Sequence, residues 1–276
     1  MCRVFNQKYF LMLRARSLLQ TSVCFWKNEG IELTNAWKFT TFGSKVIKNP
    51  TMNTSDLLYA LIPAGLAAGL LLIIKYKYLN GIIRPLLYCF LLGMIAALGS
   101  WLVQYLAALL GLDDLKNLKR ITFYAFVVAG GAKEFFKFMI LRFYALPLKI
   151  FKGSSDGIVY ALMISMGMTT MVIISYALNS VNNSQYEYYR HMLITMGIAN
   201  AVFAIIMGFF VGLGKARNNR FVDSLTGLIA AAFLHGLYKF CFYTNELTLG
   251  LLAAGGSLVI AIIFIIMAMK ASDREA

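Results

Sequence analysis

Charge is scarce in this chain: 14% of its 276 residues are Asp, Glu, Lys or Arg, whereas 60% are hydrophobic. That ratio excludes a water-soluble domain. Apolar runs of about 20 residues or more recur along most of the sequence, the mark of helices that cross a bilayer. Paired cysteines are lacking as well. Cys2, Cys24, Cys89 and Cys241 follow no paired spacing, which excludes a disulfide framework or a zinc ribbon; Cys89 and Cys241 fall in spans, as small core residues. No soluble basic domain is present to carry the net charge of +14. The surplus is therefore no sign of nucleic-acid binding, and lysine and arginine in cytoplasmic loops account for it. Neither an internal repeat nor a paired set of broken helices is evident, so the pattern of an inverted-repeat transporter is missing.

What is present reads as an all-α, polytopic transmembrane helix bundle of about seven spans, at 57–75, 85–111, 121–146, 156–178, 189–213, 221–243 and 247–269. Each is near the length that crosses ~30 Å at ~1.5 Å per residue. Pro147 ends the third span, and Gly153-Ser-Ser-Asp156 opens the fourth with Asp156 as the expected N-cap. Basic residues gather in alternate loops: Lys75, Lys77 and Arg84; Arg142, Lys149 and Lys152; Lys215, Arg217 and Arg220; Lys270 and Arg274. The loops between them are poorer in positive charge, and the fourth-to-fifth turn, 179–187, is polar and nearly uncharged. Its Asn182-Asn-Ser184 matches a glycosylation sequon, a pattern too common in polar turns to carry weight. The positive-inside rule gives an N-terminus outside and a cytoplasmic C-terminus, as in a bacterial inner (plasma) membrane. Residues 1–51 sit awkwardly in that arrangement, with eight basic residues against Glu29 and Glu32. Residues 1–26 are basic and acid-free, as a transit peptide is. The preferred expectation is that this extension lies outside the fold and that translation starts at Met52.

Ionisable residues interrupt the third span. Lys133, Glu134 and Lys137 fall near its middle, in Gly130-Gly-Ala-Lys-Glu-Phe-Phe-Lys137. Charges at that depth cost at least ~2.5 kcal/mol each on insertion scales, so they are expected to face a protein interior and a partner. On a helix, Lys133 and Lys137 are i,i+4 and Glu134 and Lys137 are i,i+3. The pattern suits either a salt bridge that holds helices together or a functional site. The sixth span carries His235 and Lys239, again i,i+4, and Asn200 lies within the fifth. Counting ~1.5 Å per residue from the cytoplasmic ends places Glu134, Val172, Asn200 and His235 in one layer, ~18–24 Å deep. Met163, Met166, Met168 and Met171 beside Val172 read as packing residues, and Ala253-Ala-Gly-Gly-Ser257 as a helix-contact face.

The same residues carry a family likeness. Residues 120–245 resemble the PrsW-type intramembrane proteases, relatives of the CAAX prenyl endopeptidases, whose pattern is Glu-Glu-x-x-Lys, then Phe-x-x-x-Glu, then His-x-x-x-Asp on successive helices. Here these read Lys133-Glu134-Phe-Phe-Lys137, Met168-Thr-Thr-Met-Val172 and His235-Gly-Leu-Tyr-Lys239. Asp156-Gly-Ile-Val-Tyr160 and Gly167 match the family closely, whereas Asn200 stands where many relatives have a further histidine. The resemblance implies a peptidase in which the first glutamate of the pair activates water, alone or in a metal-supported site, with the histidine assisting.

Three departures change the charge of that site. Lys133 replaces the first glutamate, and a protonated ammonium cannot accept a proton as a general base must. Val172 offers no oxygen, and Lys239 replaces the last acid. A divalent ion wants carboxylates and neutral imidazole, and this set is incomplete, so no metal or other cofactor is expected. The expectation is a PrsW-like pseudoprotease that has lost peptidase chemistry and binds a transmembrane segment of a single-span partner protein within the lipid bilayer. Glu134 and His235 are the candidate remnants of the catalytic site, lined by Lys133, Lys137, Val172, Asn200 and Lys239, with Asp156 structural. Two alternatives stand beside it. One is a working protease with Glu134 as base and His235 as its partner. The other is an anion or lipid-headgroup binder that uses Lys133, Lys137 and Lys239.

Overall fold

The computed structural model describes residues 54–77, 83–179, 186–244 and 246–275. The basic segment 1–51, the sequon at 182–184 and Cys2 and Cys24 lie outside the described residues. The fold is all-α, with no strand among the described residues. Among the described residues seven helices follow one another: α1 (Thr54–Lys77), α2 (Ile83–Leu109), α3, α4 (Ser154–Asn179), α5 (Tyr186–Ala216), α6 (Arg220–Thr244) and α7 (Leu247–Glu275). α3 changes winding along its length: α-helical Leu118–Phe123, π-helical Tyr124–Gly131, α-helical Ala132–Ile140 and π-helical Leu141–Ala145.

Five of these helices, α2, α4, α5, α6 and α7, are long and apolar enough to cross a membrane. This is a polytopic helical membrane protein. α1 is a 24-residue helix with the apolar stretch Leu61–Leu72 inside it. α3 runs without a break from Leu118 to Ala145 and carries the Lys-Glu-Lys cluster between its two π-helical turns.

Helix ends follow local chemistry. α2 closes on Gly111 at φ +67°, with Gly111 N–H donating to Ala108 and Leu112 N–H to Ala107. This is the doubly bonded C-terminal motif that favours glycine in the left-handed region. Pro147 lies two residues beyond the end of α3. The start of α4 departs from expectation. Gly153 occupies the cap, its carbonyl accepting from Gly157 N–H, and Asp156 is the third residue of the helix rather than its N-cap. From there Asp156 Oδ2 accepts from the Lys152 backbone N–H at 2.6 Å, so the carboxylate ties down the chain entering the helix.

α4 and α5 form the centre of the bundle, buried over most of their length. They run antiparallel in one register. A Cβ on Gly157 would strike the Gly208 carbonyl, and one on Gly212 the Gly153 carbonyl. Four residues along α4 match four along α5, so the next pairs are Ala161 with Ala204 and Ser165 with Asn200. Ser165 Oγ donates to the Asn200 carbonyl at 2.9 Å. Glycine contact thus sets the register that brings these two polar residues together. Met163, Met166 and Met168 pack in the apolar core as expected, and Cys89 and Cys241 are buried free thiols. Among the described residues, nothing packs on most of the small-residue run of α7. Gly255 and Gly256 face open space, and only Ser257 of the run is buried, because α7 presents its other side to the bundle.

Candidate functional site: a buried carboxylate among lysines

α3 and α6 approach most closely at two glycines. A Cβ on Gly130 would meet the Gly236 backbone nitrogen at 2.7 Å, and one on Gly236 would meet the Phe126 ring and backbone. Glu134 lies one turn beyond Gly130, and His235 is the neighbour of Gly236. The absence of two side chains therefore lets the helices close until Glu134 Oε1 and His235 Nδ1 stand 2.6 Å apart. The π-helical turn that precedes Ala132 rotates the facing of the α-helical segment beyond it: Ala132 N–H bonds to the Val127 carbonyl, five residues back. Such turns recur at functional sites.

Around that contact lies a buried polar cluster. Lys133, Glu134, Lys137, Asn200, His235 and Lys239 are all buried, Glu134 completely. Lys137 Nζ reaches Glu134 Oε1 at 2.5 Å, and touches Ser165 Oγ and Asn200 Oδ1 at 3.4 Å each. One carboxylate oxygen thus serves both Lys137 and His235. The other, Oε2, is buried with no hydrogen-bond partner among the described residues. His235 stacks on Phe203 with ring centroids 5.0 Å apart. Lys239 lies near the Tyr238 ring, whose hydroxyl pairs with Thr195 at 2.9 Å. Lys133 is within electrostatic reach of Lys137, Glu134, His235 and Lys239.

The five charged or titratable residues singled out in the sequence therefore converge, and Asn200 joins them through Lys137. Val172 is placed differently. It shares a face of α4 with Ser165 but packs in an apolar cluster with Ala96, Ala97, Met168, Ile173 and Met196. Ser165 was missed by the sequence reading, though it links α3, α4 and α5. A signal existed: Ser165 and Thr169 form an i,i+4 polar pair inside a span, with Thr169 Oγ1 donating to the Ser165 carbonyl. The Gly130–Gly236 contact had no comparable signal, since it depends on which helices are neighbours.

Comparison with known proteins places this arrangement. Residues 82–269 match the model of the family described as PrsW family intramembrane metalloprotease. The chain is 30% identical over 186 residues to Protease PrsW of Oceanobacillus iheyensis, covering 66% of this chain and 82% of that protein. It is 30% identical over 192 residues to Protease PrsW of Bacillus subtilis, covering 66% and 83%. Against Protease PrsW of Geobacillus kaustophilus the figure is 28% over 194 residues, covering 68% and 82%. No solved structure matches.

The family description implies a metal ion, and the donors here do not fit one. The carboxylate and the imidazole are bonded directly to each other at Oε1 and Nδ1, and an ammonium holds the same oxygen. Among the described residues no three His, Cys, Asp or Glu side chains group to hold a cation. A divalent site needs several oxygen or nitrogen donors around an ion, and ammonium groups supply none.

Proposed function

The chain belongs to the PrsW family, and from that premise we propose that it is a catalytically degenerate member that holds the transmembrane segment of a partner protein without cleaving it. The observation that carries this reading is the state of Glu134. Its Oε1 accepts from both Lys137 and His235, with Lys133 and Lys239 buried close by. A general base must take a proton and deliver it onward. A carboxylate held between an ammonium and an imidazole in a buried site is better suited to neutralising charge. Where the family pattern has further acids, this chain has Val172 and Lys239, so a second carboxylate to orient water is missing from those positions.

One observation favours the other reading, a working peptidase. Glu134 Oε2 has no partner among the described residues, and a water bound there would lie near ammonium groups able to stabilise an oxyanion. The two readings separate in one experiment. Lys133→Glu, Val172→Glu and Lys239→Asp are introduced together, and cleavage of a membrane-anchored reporter is compared with that by the parent chain. Cleavage by the restored chain alone supports degeneracy. Cleavage by the parent that is lost in Glu134→Gln overturns it.

The membrane follows the same premise. We place the chain in a bacterial plasma membrane, with its N-terminus outside and its C-terminus cytoplasmic, on the strength of its relatives in Bacillus and kindred bacteria and of its basic alternate loops. A C-terminal reporter active only outside the cytoplasm should stay silent.

A further inference from the structure

Lys133 is the buried group that nothing in the fold explains. It is 5% exposed, and among the described residues it makes no hydrogen bond and no ion pair. The neighbouring carboxylate is within electrostatic reach but gives it no hydrogen bond: Glu134 Oε1 is held by Lys137 and His235, and Oε2 has no partner among the described residues. Two of the charges within reach of Lys133, those of Lys137 and Lys239, are of its own sign. Among the described residues, three lysines share this layer with one carboxylate. In a membrane interior ionisable groups pair with one another or line a functional path.

From this we infer that the segment held by the chain carries an aspartate or glutamate within its membrane-embedded stretch, and that Lys133, with Lys239 on the facing helix, receives that carboxylate. The inference rests on the segment-holding reading above and names what is held. Charge complementarity selects the occupant. An apolar segment would leave Lys133 as it is, a lysine-bearing one would add a fourth cation, and an acidic one supplies the missing counter-ion. The segment that carries Lys133, Ala132–Ile140, is π-helical at both ends.

The test uses the full chain in vesicles of phosphatidylcholine and a fluorescent single-span peptide of leucine and alanine bearing one central aspartate. A second peptide carries asparagine instead, and association is read by energy transfer. The aspartate peptide is expected to bind roughly tenfold more tightly, the scale of a polar contact between membrane helices. The preference should vanish in Lys133→Met/Lys239→Met, and Lys133→Glu should prefer a lysine-bearing peptide. The charge swap keeps the test decisive if the double variant misfolds. Equal binding of the aspartate and asparagine peptides overturns this inference and leaves segment holding intact. Binding of neither overturns both. A preference erased by adding phosphatidylglycerol also overturns it, because the lysines then read lipid headgroups.

Discussion

Replacing Glu134 by alanine tests whether this carboxylate is the counter-charge on which the bundle's interior depends. The side chain is fully buried and accepts two bonds on one oxygen, from Lys137 at 2.5 Å and His235 at 2.6 Å. Hydrogen bonds to charged groups contribute about 1.5–3 kcal/mol each, so the pair sums to about 3–6 kcal/mol. Removal of one partner from a buried ion pair gives a consistent figure, about 3–5 kcal/mol, because the other charge is left stranded. Lys137 would retain only its 3.4 Å contacts with Ser165 and Asn200. Glu134→Ala should therefore destabilise the protein by about 3–5 kcal/mol. Lys137→Met, which strands the carboxylate, should cost a similar amount. The double variant should fall short of the summed single costs by at least about 2 kcal/mol, since each change relieves the other. Reversible unfolding in bilayer discs, followed by tryptophan fluorescence, measures all three. Additive costs, or a Glu134→Ala penalty below about 1 kcal/mol, would refute the claim that the pair is structural.

Two further predictions concern how the site is positioned. Gly236→Ala should cost about 1–3 kcal/mol by overpacking and lengthen the Glu134–His235 bond, because its Cβ would meet Phe126 at 2.5–2.8 Å; thermal unfolding, with the His235 imidazole resonance as a local probe, checks both. Lys215 Nζ donates to the carbonyls of Leu146 and Leu148 at 2.6 and 3.0 Å and lies over the Phe151 ring. Lys215→Met should cost about 1.5–3 kcal/mol and speed hydrogen exchange across 146–153, whereas Lys215→Arg should recover part of the loss.

The helices were legible because hydropathy in a chain of this composition has one physical outcome, and the convergence of Lys133, Glu134, Lys137, His235 and Lys239 followed from the cost of charge in lipid. What escaped was information held between helices. Val172 occupies a position that resemblance assigns to an acid, yet its surroundings, Ala96, Ala97 and Met196, are apolar. Periodicity along α4 cannot say which neighbours that face meets. Ser165 was overlooked within a methionine-rich run despite its i,i+4 pairing with Thr169, and only the glycine-set register of α4 against α5 delivers it to Asn200. Asp156 was recognised as a helix-start residue but assigned to the wrong step, since capping statistics resolve a helix end to within a residue or two. The small residues of α7 marked a face, but not whether anything in the chain covers it.

The residues kept from the family pattern need not be relics of catalysis. Lys137 sits in a pocket whose other contacts, Ser165 and Asn200, are neutral and distant at 3.4 Å. With Lys137 present, Glu134 cannot be lost without stranding a cation. With Glu134 present, His235 bonds to the same Oε1 and stacks on Phe203 of α5. These three residues therefore stabilise one another whether or not water is ever activated. The positions that changed are the ones this triad does not touch. Val172 packs among apolar side chains, and Lys239 lies one turn from His235, against Tyr238. Lys133 differs, because its charge is buried without serving the triad. A fold that needed only its own stability would gain by replacing Lys133 with an apolar residue, as buried ion groups replaced by packed hydrophobes often show. Its presence is what the proposed recognition of an acidic segment would account for.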